Sequence, residues 1–235
     1  MDAKYAQFLG DLNPFDLLDA ESERVARFFE TADENTWARD TRCEGWRVRE
    51  LLSHLAGVET YHLACLDDTI QALFEEGGKA GATDMNSFND WLIRVRADRS
   101  RNEVFDEWRT KNLDVRRRMR ERADGTMASS VGPYPVDLMA FHIASEYATH
   151  GDDMDIEIPE AERQPRTDWR TKVSFFAIHE AEKPVQVERA GDSYIVRSGG
   201  KEATLPQADF VEAVTRRATS VPLDDDLRDA LAALA

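Results

Sequence analysis

Apolar residues recur at steps of three and four along most of the first 155 positions, and at steps of two only near residues 185–205. Asn13 and Pro14 open a stretch in which Phe15, Leu17, Leu18, Val25, Phe28 and Phe29 share one face, predicting a helix that stops at the polar segment Asp33 to Asn35. A second helix is predicted from Trp46 to about Phe74. Val48, Leu51, Leu52, Leu55, Val58 and Tyr61 lie on its stripe, Thr41 and Glu44 read as a capping box, and the helix ends before Gly77 and Gly78.

Residues 77–85 read as a loop, followed by a short helix around Trp91, Leu92 and Val95 and a longer one from Val104 to Arg122. After a turn at Gly132 to Pro135, a further helix runs through Val136, Met139, Ala140, Ile143 and Tyr147, with Gly151 as its C-cap. Long apolar-faced helices joined by loops predict a mostly α fold, an antiparallel four-helix bundle.

Beyond Pro159 the period changes. Pro165 reads as part of a charged linker, whereas Val185, Val187, Tyr194 and Val196 alternate as strand residues do around a turn at Gly191 and Asp192. Another strand is expected near Ala203 to Leu205, then helices over 208–217 and 224–234. The expected organisation is a bundle over residues 1–160 and a small α+β domain over 161–235.

The chain has 235 residues, 42% of them apolar, which is enough to bury a core. A formal charge of -16 makes nucleic acid and anionic membrane surfaces poor partners. The arginines at 116, 117, 118, 120 and 122 lie among Asp114, Glu121 and Asp124 and read as a solvated, salt-bridged helix face. No segment has the length of a membrane span, the N-terminus has no export signal, and Cys43 and Cys65 are too few for a disulfide framework, so a cytoplasmic location is expected.

Chemistry enters through the histidines. His54 sits on the apolar stripe with Leu51, Leu55 and Val58, a costly place for an imidazole without a partner. Glu146 and His150 are one helical turn apart, so both reach a common point. Two imidazoles and a carboxylate suit a divalent ion, and three protein ligands leave a position open for catalysis. The same residues also allow a metal-free arrangement, with His54 hydrogen-bonded to Glu146 and His150 placed against the helix end. His142, one turn before Glu146, is either a further donor or a residue at the bundle edge, and Cys43 reads as packing.

The run Arg42-Cys43-Glu44-Gly45-Trp46 through Leu51-Leu52-Ser53-His54 resembles the opening signature of the mycothiol-dependent maleylpyruvate isomerase family, within the DinB-like four-helix bundles. Glu146-Tyr147-Ala148-Thr149-His150-Gly151-Asp152-Asp153 is similar to that family's second motif. The resemblance implies that His54, Glu146 and His150 bind a divalent metal, usually zinc. Glutamate at 146 resembles the mycothiol branch more than the bacillithiol transferases. It implies an enzyme, an isomerase or S-transferase, that uses mycothiol as a low-molecular-weight thiol against a small-molecule electrophile, as a monomer or homodimer. The family's C-terminal domain commonly ends a helix with Gly-Arg, where this chain has Thr215-Arg216-Arg217. Either Arg216 or Arg217 aligns with the family's activity-linked arginine, and Arg217 is the favoured counterpart in a catalytic role. Two other readings of the same residues stand beside this one: a hydrolase or lyase that activates water, and a non-catalytic binding protein.

Overall fold

The helical periodicity becomes α1 (Ala3–Leu9), α2 (Pro14–Thr31), α3 (Glu34–Ala38), α4 (Val48–Leu66), α5 (Ile70–Lys79), α6 (Met85–Arg94) and α7 (Arg101–Glu121). A short antiparallel pair, β1 (Thr126–Met127) and β2 (Tyr134–Pro135), precedes α8 (Val136–Asp153). Then come α9 (Glu160–Glu180), β3 (Gln186–Ala190), β4 (Ser193–Ser198), β5 (Lys201–Pro206), α10 (Gln207–Val214) and α11 (Asp225–Leu231). This is a computed structural model that describes residues 3–234. It divides into two units, Pro14–Ile156 and a second made of Met1–Asn13 with Glu157–Ala235. Among the described residues no helix is long and apolar enough to cross a membrane.

The first unit is an antiparallel four-helix bundle in which α2 packs along α8, α4 along α7, and α2 against α7. Leu18, Val25, Leu51, Leu52, Leu55, Val115, Phe141 and Ile143 fill its core. Phe29 stacks on Trp37 at 5.3 Å and meets Trp108 edge-on at 5.7 Å. That cluster explains α3, which begins within the polar segment Asp33 to Asn35 where the first predicted helix was expected to stop. The Asp33 carboxylate accepts from Thr36 N–H at 2.7 Å as an N-cap, and the short helix turns Trp37 inward.

Helix ends differ from the predicted ones for one recurring reason. At four of them a residue other than glycine takes the left-handed conformation: Asp68 (φ 57°), Asp155 (52°), Glu182 (48°) and Arg216 (60°). Around Asp68, Thr69 N–H donates to Ala64 O and Asp68 N–H to Cys65 O, the paired bonds that close a helix, so α4 stops at Leu66. Gly77 and Gly78 lie inside α5. A Cβ at Gly77 would sit 2.7 Å from Phe88 Cδ2, so this glycine serves close packing of α6. Likewise α8 passes through Gly151 to Asp153, closed by Ile156 N–H on Gly151 O at 3.0 Å. At the start of α4, Arg47 N–H donates to Glu50 Oε2 at 3.1 Å, and Thr41 bonds Trp46 O instead of capping a helix with Glu44.

The second unit holds the antiparallel meander β3-β4-β5, with turns at Gly191 and at Gly199-Gly200. Tyr194 of β4 packs between Phe175 of α9 and Phe210 of α10, at 5.4 and 4.9 Å. Pro165 lies within α9 and not in a linker. One lost backbone bond near the helix start is offset by burial of Trp169, Val173, Phe176 and Ala177. The division falls at Glu157. The N-terminal α1 goes with the second unit instead of the bundle, because Tyr5 and Phe8 pack on Phe176 and His179 of α9.

Candidate metal centre

His54 is 4% exposed on the buried face of α4, as its place in the apolar stripe requires. Its Nε2 lies 3.5 Å from Glu146 Oε1 of α8. One turn on, the His150 ring is edge-on to the His54 ring at 5.0 Å. One ligand atom from each of His54, Glu146 and His150 falls within 4.8 Å of the others. This donor set, two imidazoles and one carboxylate converging on a point, fits zinc and related divalent ions.

Because α8 continues past Gly151, Asp153 comes to lie one turn beyond His150, and its Oδ2 is 3.0 Å from His150 Nδ1. A carboxylate only accepts, so Nδ1 carries the hydrogen and Nε2 is the nitrogen free to face the other two donors. Burial alone would lower the His150 pKa. The bonds to Asp153 and Cys43 and the charge of Glu146 more than reverse that and hold it up at about 9. For Glu146, burial favours the neutral acid, but the hydrogen bond and charge of His54, with the charges of His150 and His62, bring the carboxyl down to about 2. The site therefore keeps its carboxylate ionised.

Two other residues singled out in the sequence have surroundings of their own. His142 stays apart from the cluster, its Nε2 3.1 Å from the Tyr134 hydroxyl. Arg217 lies in the second unit, just past α10. There Arg216 N–H donates to Ala213 O and Arg217 N–H to Glu212 O, so Arg216 occupies the left-handed position that glycine usually takes. The arginines of α7 are engaged with acids: Arg116 with Asp19, Arg117 with Asp114 and Glu121, Arg118 with Asp67, and Arg120 with Asp16 and Asp19.

Sequence reasoning missed two groups. Cys43 is not a packing residue: its thiol donates to Asp153 Oδ2 at 3.2 Å and lies 3.8 Å from His150 Nδ1. Nothing local to a loop cysteine signals a contact 110 residues away. The second group is a buried cluster that joins α4 and α8 to α7. Glu59 accepts from the Tyr147 hydroxyl and from Asn112 Nδ2 at 2.8 Å, and Trp108 Nε1 donates to the Tyr147 oxygen at 2.8 Å. His62 is buried beside it, with Nδ1 3.4 Å from Glu59 Oε2. A signal existed: Glu59 and His62 extend the Leu52–Leu55 stripe at steps of four and three. Burial, then the charge and hydrogen bond of Glu59, push the Tyr147 hydroxyl well above its ordinary pKa.

Comparison with known proteins agrees with this architecture. A crystal structure of the mycothiol-dependent maleylpyruvate isomerase superposes with a TM-score of 0.60 at 13% identity, covering 88% of this chain and 89% of that one. A histidine-to-alanine mutant of the same enzyme superposes with a TM-score of 0.59 at 13% identity, covering 89% and 93%. Similarity at this identity is similarity of fold. A comparison with curated proteins finds no match. The family described as "Mycothiol maleylpyruvate isomerase N-terminal domain" matches residues 18–155, more than half of the chain and nearly the whole bundle unit. By that match, the chain belongs to the mycothiol maleylpyruvate isomerase N-terminal domain family.

Proposed function

We propose that the protein is a metal-dependent, thiol-using enzyme in which His54, Glu146 and His150 hold a divalent ion, with zinc the ion best suited to the donors. The observation that carries this reading is the convergence of those three side chains, with Asp153 fixing the tautomer of His150. Three protein ligands leave a coordination position open, the arrangement of catalytic rather than structural zinc. A bound ion would supply Lewis acidity, lowering the pKa of a thiol so that thiolate exists near neutral pH.

Family membership points to mycothiol as that thiol and to a small electrophile as its target. Addition followed by elimination gives isomerisation, and retention of the thiol gives S-transfer. His54 and His150 orient the site from opposite helices, and Glu146 contributes the anionic charge that offsets the ion. Arg217 would hold a substrate carboxylate through paired hydrogen bonds. Arg216 supports that choice by taking the place of the glycine in the family's Gly-Arg ending.

The test is turnover of maleylpyruvate and related unsaturated acids by zinc-loaded protein, with and without mycothiol. Expected are mycothiol-dependent turnover, its loss in His54→Ala, and a raised KM in Arg217→Ala. Thiol-independent turnover would favour the hydrolase or lyase reading, and metal binding without turnover a binding protein.

A further inference from the structure

The loop between α3 and α4 touches both imidazoles of the candidate centre. It is closed on itself: Thr41 N–H and Thr41 Oγ1 both donate to Trp46 O, at 3.0 and 2.8 Å, and Trp46 N–H donates to Cys43 O at 3.0 Å. Asp40 and Arg47 bridge its base, and Gly45, at φ 78°, allows the turn.

From one end of the loop the Trp46 ring packs on His54 at 4.9 Å. From the other, the chain is fastened to Asp153 at three points. Arg42 N–H donates to Asp153 O at 3.1 Å, the Arg42 guanidinium stands 4.0 Å from Asp153 Oδ1, and the Cys43 thiol donates to Oδ2 at 3.2 Å. Oδ2 is also the oxygen that faces His150 Nδ1, at 3.0 Å. Asp153 is 1% exposed, so its carboxylate depends on protein donors such as these.

We propose that Cys43 is a positioning residue for the metal centre. Its thiol fixes the Asp153 carboxylate, Asp153 fixes the ring of His150, and the loop thereby holds one imidazole through Asp153 and the other through Trp46. The inference rests on the metal reading of His54, Glu146 and His150, to which it adds a residue that is not itself a ligand. An outer partner of this kind commonly changes metal affinity 10- to 100-fold.

The experiment is zinc affinity by competition with a chromophoric chelator for the wild type, Cys43→Ala, Cys43→Ser and Asp153→Asn, alongside thermal melts of the metal-free proteins. Cys43→Ala should weaken zinc by about tenfold and speed its loss to chelator. Serine restores a donor, so Cys43→Ser should return to within about threefold of wild type. Asp153→Asn should weaken zinc at least as much as Cys43→Ala, and the metal-free cysteine variants should keep a cooperative melt, with any loss in Cys43→Ala recovered in Cys43→Ser. Wild-type zinc affinity in Cys43→Ala would overturn the inference while leaving the metal reading intact. Equal losses in the alanine and serine variants would overturn it too, and absence of zinc from the wild type would overturn both.

Discussion

Helices α4 and α8 contribute to two polar clusters, one of them shared with α7, and the two are built differently. In the cluster of Glu59, Tyr147, Asn112 and Trp108, donors meet acceptors: hydroxyl and amide face carboxylate, and indole faces the phenol oxygen. In the cluster of His54, Glu146 and His150, one carboxylate stands between two imidazoles, and one ligand atom from each lies within 4.8 Å of the others. Glu146 and Tyr147 are consecutive residues, yet one joins each cluster. A cluster of neutral donors around one carboxylate ties helices together, whereas two imidazoles and a carboxylate converging on a point are also a ligand set that a cation can take.

The sharpest way to break this contrast is to truncate one member of each cluster in metal-free protein. Glu59→Ala leaves the buried Tyr147 hydroxyl and Asn112 amide without their acceptor and should cost on the order of 3 kcal/mol in urea unfolding. His54→Ala removes the imidazole that pairs with Glu146 and should cost less than Glu59→Ala in metal-free protein, because its larger contribution is to metal affinity. Equal losses from the two substitutions would erase the distinction.

Trp108→Phe removes the indole donor to Tyr147 and should cost about 1–2 kcal/mol, again without changing metal stoichiometry. Glu107 offers a cluster matched by charge. Its burial alone would raise the pKa, but Arg96 and Lys111 hold it down to about 2. A carboxyl depressed in the folded state stabilises above its unfolded pKa, near 4.5, and that contribution is lost as pH falls from there toward 2. The wild type should therefore lose thermal stability over this window more steeply than Glu107→Gln. The smallest effect is expected at Arg117, exposed between Asp114 and Glu121, where alanine should change stability by about 0.5 kcal/mol or less.

The bundle was legible because apolar residues keep helical spacing over long runs. The candidate ligands were legible because a histidine stood on one such stripe and a Glu–His pair, spaced by one turn, on another. Helix ends were not. Reading Gly77, Gly78 and Gly151 as stops fails where Asp68, Asp155, Glu182 and Arg216 take the left-handed position and the glycines serve interior packing or pass unmarked. The end of α8 mattered most, since its last residues bring Asp153 to His150. The role of Cys43 was illegible for a related reason: its partner is supplied by that same unsignalled helical turn.

The most direct measurement is zinc bound per chain, after dialysis against metal-free buffer and reconstitution, for the wild type, His54→Ala and Glu59→Gln. The account predicts near-stoichiometric zinc in the wild type and Glu59→Gln and none in His54→Ala. Full zinc in His54→Ala, or none in the wild type, would contradict it.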